Sequence, residues 1–325
     1  MHPTHPRYLT EFKYHHSYSS YSYDSYATLC AQWAPSGKHM VAGGESGSVI
    51  AHDHRGDEVW RTRSIYSKKP GARGRGGILY SHIQCLAYSP DGAYIAAGTF
   101  DHQVVLFDGV TGETKARWER RGHNTIIQHI AWSPDGKQVI ATTSKGRLYH
   151  WGLDALSSGE KPGWTTGVEG ALVGASFDAS GEYIETFGAD GILRSRAVAK
   201  YRKAYVLAEV PGKPRCVARC GEELLLGTSE GLFHFDHERR LERLNGGDIR
   251  SMCWVGQGGD HIAFRSRDCE VTLLSRDGHR FEEADRWEID TSRSYRPFHL
   301  ASSPDGAYLS IIRMGEGVYL CRTDD

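Results

Sequence analysis

The sequence contains Gly227-Thr228-Ser229-Glu230-Gly231, which matches the Gly-x-Ser-x-Gly pattern around hydrolase nucleophiles. That chemistry requires a strand, a sharp turn and a helix, because only such an elbow exposes the serine oxygen. Here the surrounding sequence, LLLGTSEGLFHF, predicts two strands joined by a turn, with no helix after the serine. The pattern therefore predicts a turn between strands and not a catalytic serine.

Cysteine, histidine and acidic residues are the other groups that could do chemistry. Cys216 and Cys220 lack the spacing of a CxxC pair, and the sequence contains no second pair that could complete a metal site with them. His15 and His16 are adjacent, which is poor geometry for two ligands of one metal ion. The acidic residues form no paired-carboxylate motif, and no glycine-rich stretch has the form of a Walker phosphate loop. We therefore predict no catalytic, cofactor-binding or metal-binding residues, and a protein that is not an enzyme.

The stretch of residues 61–77, RTRSIYSKKPGARGRGG, contains six basic residues and no acidic residue. A basic, glycine-rich segment of this kind can dock an acidic protein surface, track a phosphate backbone or remain a solvated loop. A single Arg-Gly-Gly element is weak evidence for nucleic acid, so we favour the protein surface or the solvated loop. The residues predicted to contact a partner are Arg63, Tyr66, Lys68, Lys69, Arg73 and Arg75.

Two further segments have a composition that could support binding. Residues 14–26 form a Tyr/Ser/His tract, which is either a tyrosine-rich contact surface or, as we favour, a connector. Basic residues also recur between the predicted strands, and without a structure they are interpreted as scattered surface charge. They are Lys115, Arg117, Arg120, Arg121, Arg194, Arg196, Lys200, Arg202 and Lys203.

The elements that must position these residues are set by an internal repeat. Each unit has a small or apolar strand, a glycine turn, a second apolar strand, a polar turn and a third strand. The turn glycines recur at intervals of 38 to 55 residues, which suits four strands per unit. Cys30 and Cys85 each precede a turn glycine by seven residues, so they are predicted to pack in inner strands. The turn glycines are Gly37, Gly92, Gly136, Gly181, Gly221, Gly259 and Gly306.

Several motifs in these units resemble those of the WD-repeat β-propellers. The Ser-Pro-Asp-Gly turns at 89–92, 133–136 and 303–306 resemble that family's turns. Phe107-Asp108 and Phe235-Asp236 stand where the family carries Trp-Asp, and Gly122-His123 resembles its Gly-His pair. The resemblance implies a non-catalytic scaffold that holds protein partners.

The sequence departs from the family in one respect. Family blades often join a His, a Ser or Thr, a turn Asp and the Trp in one buried hydrogen-bonded network. The turn Asp is present as Asp101, Asp190 and Asp268 but is replaced in the other four units, for example by Lys145. No unit carries the full set, so the sequence does not predict rigidity from this network.

These observations predict an all-β fold, a single seven-bladed β-propeller over residues 1–325. The final unit ends after its third strand, so residues 7–14 are expected to supply the missing outer strand and close the ring. The basic stretch 61–77 is expected to be an insertion. We expect the partner contact on the face that bears the turn residues and on this insertion.

Composition and net charge bear on the partners and the cellular compartment that we expect for the protein. The formal net charge of −1 over 325 residues favours neither a nucleic-acid nor a membrane partner. Seven cysteines without framework spacing fit free thiols, and the N-terminal sequence lacks the apolar segment of a signal peptide. We expect a soluble, cytoplasmic subunit of a multi-protein complex that needs no cofactor or membrane. A nucleic-acid-binding subunit that uses residues 61–77 is the alternative function, and an enzyme with a site at the channel is the third.

Overall fold

Seven four-stranded antiparallel sheets follow one another along the chain in the computed structural model. Each sheet is one blade of a β-propeller, and an additional two-stranded hairpin lies between the first two blades. The residues described by the structure are 8–12, 28–63, 65–67, 79–120, 125–166, 170–200, 203–256, 258–266, 270–277, 280–288, 298–313 and 317–323.

The strands are numbered along the chain. The first is β1 (Tyr8–Phe12). Blade 1 and the hairpin comprise β2 (Thr28–Trp33), β3 (His39–Gly44), β4 (Val49–Asp53), β5 (Glu58–Arg61), β6 (Tyr66–Ser67) and β7 (Leu79–Tyr80). Blade 2 comprises β8 (Ile83–Tyr88), β9 (Tyr94–Thr99), β10 (Gln103–Asp108) and β11 (Thr114–Glu119). Blade 3 comprises β12 (Ile127–Trp132), β13 (Gln138–Thr143), β14 (Arg147–Gly152) and β15 (Gly163–Thr166), with α1 (Leu153–Ser157) before its last strand.

The remaining blades follow the same plan. Blade 4 comprises β16 (Leu172–Phe177), β17 (Tyr183–Gly188), β18 (Ile192–Ala197) and β19 (Tyr205–Glu209). Blade 5 comprises β20 (Pro214–Cys220), β21 (Glu223–Thr228), β22 (Gly231–Phe235) and β23 (Leu241–Gly246). Blade 6 comprises β24 (Ile249–Val255), β25 (His261–Ser266), β26 (Glu270–Asp277) and β27 (Arg280–Glu288). Blade 7 comprises β28 (Phe298–Ser302), β29 (Tyr308–Arg313), β30 (Gly317–Arg322) and, as its outer strand, β1.

The Ser-Pro-Asp-Gly turns form for a local reason. In the turn of blade 2, Ser89 Oγ donates to Asp91 Oδ1 at 2.6 Å, and Ala93 N donates to the same oxygen at 3.0 Å. These two hydrogen bonds hold the pKa of the Asp91 carboxyl below its usual value. Gly92 ends the turn at φ +73°, a conformation that glycine adopts without steric cost. The predicted motif is therefore a self-capped turn.

All seven predicted turn glycines lie in the left-handed region, with φ between 55° and 75°. The turns also interlock around the ring. A Cβ on Gly92 would lie 3.6 Å from Pro35 Cδ of blade 1, and one on Gly136 would lie 3.6 Å from Pro90 Cδ of blade 2. Proline and glycine thus have two tasks here, since they shape each turn and seat it against the turn of the neighbouring blade.

The hydrophobic core lies between blades and not within them. Seven buried clusters are present among the described residues, and each joins two neighbouring blades. One example packs Val41 and Val49 of blade 1 against Ile95 and Phe107 of blade 2. Because neighbouring blades cover both faces of each sheet, the middle strands are buried at most positions, as in β9 and β10. A single blade has no core of its own.

Blade 7 meets blade 1 in the same way. Trp33 Nε1 donates to Ser310 Oγ at 2.6 Å in a buried contact, and the two blades share a hydrophobic cluster. A Cβ on Gly37 would lie 3.9 Å from Pro304 Cδ, which continues the series of interlocked turns. β1 pairs antiparallel with β30, from Tyr8 opposite Cys321 to Phe12 opposite Val318. Whether this strand is needed to close the ring stays a prediction.

Two elements differ from the expectation of strands joined by loops. α1 is a single helical turn that begins after Gly152, and it forms because leucine and alanine in LDALS favour helix. Its Leu156 side chain is completely buried. The stretch 61–77 begins at the last residue of β5 and includes β6, so it is not a loop throughout. Over the part of the chain that the structure describes, no helix has the length and apolar character needed to span a membrane.

Candidate partner-binding face

The propeller has two faces that its topology distinguishes. Successive strands of a blade run in opposite directions, so the first and third turns of each blade lie on one face and the second turn lies on the other. We call the first the turn face, which carries the Ser-Pro-Asp-Gly turns. The opposite face, here the connection face, carries the second turns and the connections between blades. The insertion 61–77 therefore shares a face with the second turns only, and not with the Ser-Pro-Asp-Gly turns.

The insertion leaves the connection face as a β-hairpin. β6 pairs antiparallel with β7, with Tyr66 opposite Tyr80 and Ser67 opposite Leu79. Residues 68–78, between the two strands, lie outside the described residues. The connection between blades 1 and 2 therefore contains a pair of strands that belongs to neither blade.

The base of this hairpin is fastened to blade 1. Ile65 N donates to Gly47 O at 2.7 Å, and Ser81 N donates to Ile65 O at 2.8 Å. The Ile65 side chain is buried in the cluster between blades 1 and 2. A Cβ at position 47 would lie 2.7 Å from Ile65 O, so the close crossing of the two chains requires glycine there. The hairpin therefore has a fixed origin on the ring.

A second attachment leads to blade 2. Ser81 Oγ donates to Asp101 Oδ2 at 3.2 Å, which ties the hairpin base to the second turn of that blade. Next to Asp101, the Phe100 ring is 45% exposed and packs at 6.0 Å, between centroids, from the His82 ring. An exposed phenylalanine beside a basic segment is a typical anchor for a partner.

The structure places the predicted contact residues as follows. Arg63 is exposed at the base of the hairpin, and Tyr66 lies in its stem, in β6. Lys68, Lys69, Arg73 and Arg75 lie outside the described residues. Sequence reasoning missed Phe100 and His82 as members of this face. A signal was available, because Phe100 is an aromatic residue in a turn where five of the other six units carry small or charged residues.

An aromatic cluster underlies this face between blades 2 and 3. His102 Nε2 and Tyr149 OH are 2.9 Å apart, and the Trp118 ring contacts both the Tyr149 ring and the Trp151 ring. His102 adopts φ +64°, where the corresponding turns of blades 1, 3 and 4 use Gly47, Gly146 and Gly191. With Lys145 in place of the turn Asp, blade 3 still gains a buried network around Trp151. Rigidity here comes from rings packed across two blades.

The central channel opens on the turn face as a cavity of about 630 Å³. Arg219 lies in its wall, donates from Nε to Ser176 Oγ at 2.9 Å and forms an ion pair with Glu185. His129 and His299, from blades 3 and 7, also line it. Burial lowers the pKa of both imidazoles to about 4, and their mutual repulsion contributes at His129. Both are therefore neutral at pH 7.

The residues that resembled chemical motifs lie in structural positions. Ser229 occupies a turn between β21 and β22, and its Oγ accepts a hydrogen bond from Lys213 N at 2.9 Å. A strand follows it, which is not the nucleophile elbow. Cys30 is fully buried, and burial raises the pKa of the Cys85 and Cys216 thiols to about 12. Among the described residues, no group of three or more His, Cys, Asp or Glu side chains could hold a metal ion.

Comparisons with known proteins agree with this geometry. The family described as "WD domain, G-beta repeat" matches residues 75–108 and 115–152, which cover most of blades 2 and 3. The solved structure titled "Structure of U3-55K" superposes with a TM-score of 0.73 over 93% of this chain and 97% of that one, at 16% identity. At that identity the likeness concerns the fold. The ring of seven four-stranded blades is therefore a β-propeller, and its blades 2 and 3 carry the WD repeats that the family model matches.

Two curated relatives share part of the sequence. The chromatin assembly factor 1 subunit FAS2 homolog of Oryza sativa is 28% identical over 139 residues, which is 41% of this chain. The echinoderm microtubule-associated protein-like 3 of Mus musculus is 29% identical over 125 residues, or 38% of this chain. These matches span only 24% and 12% of the relatives' own lengths.

Proposed function

We propose that this propeller is a non-catalytic scaffold that holds one or more protein partners as a subunit of a larger complex. The observation that carries the proposal is the hairpin, which is hydrogen bonded to blade 1 through Ile65 and to blade 2 through Ser81. The basic residues of 61–77 and the exposed Phe100 near the base of this hairpin offer both charge and an apolar anchor. That a relative of this chain is described as a subunit of chromatin assembly factor 1 supports a role within an assembly.

The proposed contact residues are Arg63, Tyr66, Lys68, Lys69, Arg73 and Arg75, together with Phe100. An acidic partner surface would contact the lysine and arginine side chains, while Tyr66 and Phe100 would provide apolar contact area. The cytoplasm is the proposed location, and fluorescence microscopy of the tagged chain would test it.

The second candidate is a nucleic-acid-binding subunit that uses the same hairpin. The observation that favours it is the run of six basic residues without a carboxylate between positions 61 and 77. Binding through phosphates releases counterions, so affinity would fall steeply and linearly with the logarithm of salt concentration.

One experiment distinguishes the scaffold function from the nucleic-acid-binding function. The tagged chain is purified from its native host, with and without nuclease, and the co-purifying material is identified by mass spectrometry. The scaffold function predicts a stoichiometric protein partner that survives nuclease treatment. Loss of all co-purifying material on nuclease treatment, with RNA or DNA in the untreated sample, would overturn it in favour of the alternative.

A further inference from the structure

Exposed large apolar side chains are concentrated on blade 4. Of the six such residues in the described part of the chain, three belong to this blade: Tyr183 (42% exposed), Tyr205 (54%) and Val206 (61%). Single exposed apolar residues need no explanation on a protein surface, but a cluster marks an interaction site. We call these three residues, with Lys200 and Lys203, the blade-4 patch.

The strand register places the two tyrosines on the same face of blade 4. Tyr183 lies opposite Ala197, and Ser195 lies opposite Tyr205. Since residues opposite one another share a face of the sheet, and positions two apart along a strand share it as well, both tyrosines lie on one face of blade 4. Val206, the next residue in β19, projects to the other face. The outer strand thus presents apolar side chains on both of its sides.

Two other outer strands carry paired charges. In β5, Arg61 and Glu58 form an ion pair at 2.5 Å beside Val59, and in β27, Arg286 pairs with Glu283 at 2.6 Å. Charged side chains at sheet edges prevent unwanted association. β19, Tyr-Val-Leu-Ala-Glu, has no charged residue before Glu209. Its edge therefore lacks the protection that these other blades carry.

The charged residues that immediately precede β19 are all basic. Residues 194–203, RSRAVAKYRK, contain five basic residues and no acidic one. Arg194 pairs with Asp190 at 2.6 Å, and Arg196 is buried, so these two do not contribute free surface charge. Lys200 and Lys203 are exposed, with a backbone hydrogen bond of 3.1 Å from Lys203 N to Lys200 O. Lys203 Nζ lies 5.2 Å from the centre of the Tyr205 ring, so charge and aromatic surface form one feature.

We propose that the blade-4 patch is a docking site for an acidic segment of a partner protein that also carries apolar side chains. Apolar side chains of the segment would cover Tyr183, Tyr205 and Val206, and its carboxylates would meet Lys200 and Lys203. The proposal rests on the scaffold function proposed above and adds a second contact, on the side of the ring and separate from the hairpin. Glu182, next to Tyr183, and Glu209, at the far end of β19, restrict the acidic contact to the lysine side.

The test begins with a phage-displayed library of random twelve-residue peptides selected on the full folded chain. Enriched peptides are then synthesised with a fluorescent label, and their Kd values are measured by anisotropy. We expect enriched peptides that combine Asp or Glu with Leu, Phe or Trp. The double substitution Tyr205→Ser/Val206→Ser should weaken their binding by about tenfold, the scale of a contact centred on two anchor residues.

The matched control is Val59→Ser, because Val59 is 53% exposed on the outer strand of blade 1 but lies between paired charges. It should leave the Kd unchanged, while Lys200→Ala/Lys203→Ala should weaken binding and flatten its salt dependence. All variants alter exposed positions, and circular dichroism verifies their fold. Three outcomes would overturn the proposal. They are peptides that bind the Tyr205→Ser/Val206→Ser variant as tightly as the wild type, a basic consensus among the enriched peptides, and no enrichment of any peptide.

Other occupants are distinguished by their own probes. Binding of a single-stranded RNA 20-mer or of phosphatidylserine vesicles that is lost in the lysine variant, without peptide binding, overturns the proposal. So does a dimer in sedimentation analysis that the Tyr205/Val206 variant dissociates. If native partners co-purify equally with the variant and the wild type, the patch is excluded while the scaffold function stands. If no protein partner co-purifies, the scaffold function itself fails.

Discussion

Two kinds of buried polar residue hold this ring at the level of single side chains. One kind is fully hydrogen bonded, as in the contact between Trp33 and Ser310. The other kind is half-buried with incomplete pairing, as in His129 and His299, whose buried Nδ1 atoms have no hydrogen-bond partner among the described residues. Substitution tests the first kind, because it removes a hydrogen-bond partner. A change of pH tests the second kind, because protonation of the imidazole inside the protein costs free energy.

Removal of the Ser310 hydroxyl is expected to destabilise the junction of blades 7 and 1. In Ser310→Ala the buried indole N–H of Trp33 loses its acceptor, which costs about 1–3 kcal/mol. Urea denaturation followed by Trp fluorescence measures the change in the free energy of unfolding. Ser36→Ala, an exposed serine in the turn after Trp33, is the control and should change stability little. Equal stability of Ser310→Ala and the wild type would contradict the assigned contact.

The two channel histidines predict loss of stability in mild acid. Their folded pKa of about 4 lies below the usual 6.5, so the unfolded chain binds more protons as the pH falls. Their contribution is complete above about pH 6.5 and is lost as the pH falls toward 4. At pH 5 the loss is about 2 kcal/mol for each histidine. The double variant His129→Gln/His299→Gln should show a flatter dependence between pH 7 and pH 5, and an unchanged slope would refute the assignment.

At the scale of elements, β1 and the β6–β7 hairpin lie outside the simple repeat. β1 is distant in sequence from its partner β30, and the hairpin interrupts the connection between blades 1 and 2. Each can be removed without cutting a blade's three inner strands. Their removal should have opposite consequences, since one covers a sheet edge and the other projects from the ring.

Deletion of residues 1–13 is expected to destabilise the protein and promote aggregation. It exposes the edge of β30, which carries unpaired backbone groups. We expect a lower melting temperature and a concentration-dependent increase in light scattering. A chain with residues 2–7 alone deleted serves as control. A full deletion that melts like this control would show that β1 is not needed to close the ring.

Replacement of residues 66–80 by a short Gly-Ser turn is expected to preserve the fold and weaken partner binding. Ile65 O and Ser81 N are already only 2.8 Å apart, so a short turn can join the two residues without strain. The melting temperature should change by no more than a few degrees, while the partner identified by co-purification should bind at least tenfold more weakly. Unchanged binding would remove the hairpin from the proposed function. Val59→Ser, which alters an exposed residue of blade 1 and leaves the hairpin intact, is the control.

On the scale of the whole molecule, stability is shared around the ring. Each of the seven hydrophobic clusters among the described residues belongs to two blades, and the last cluster joins blade 7 to blade 1. An open array of repeats can lose its terminal units one at a time, because each contacts only its neighbours. A closed ring has no terminal unit. Loss of one blade therefore exposes two interfaces at once.

We accordingly expect one cooperative unfolding transition. Circular dichroism, which reports all blades, and Trp fluorescence, which includes Trp33, Trp151 and Trp254 of blades 1, 3 and 6, should give the same urea midpoint and slope. Removal of blade 7 by truncation after residue 290 should abolish this transition. Separate midpoints for the two signals would indicate that the ring opens in parts.

The sequence alone determined the architecture. The seven turn glycines and the Ser-Pro-Asp-Gly motifs encode local φ values and hydrogen bonds within a few residues, so they could be recognised without knowledge of the neighbours. The same locality predicted correctly that Cys30 and Cys85 are buried.

Only the tertiary structure decided which residues share a surface. Phe100 and His82 join the base of the hairpin, Tyr183 and Tyr205 lie on one face of blade 4, and His129 faces the same channel as His299. These neighbours arise from strand register and ring closure, which bring together residues far apart in the chain. The basic stretch 61–77 was visible in the sequence, but its paired stem and its place on the connection face depend on hydrogen bonds to Gly47 and Asp101. Local sequence therefore specified the blades, whereas the packing of one blade on the next created the surfaces on which the proposed function depends.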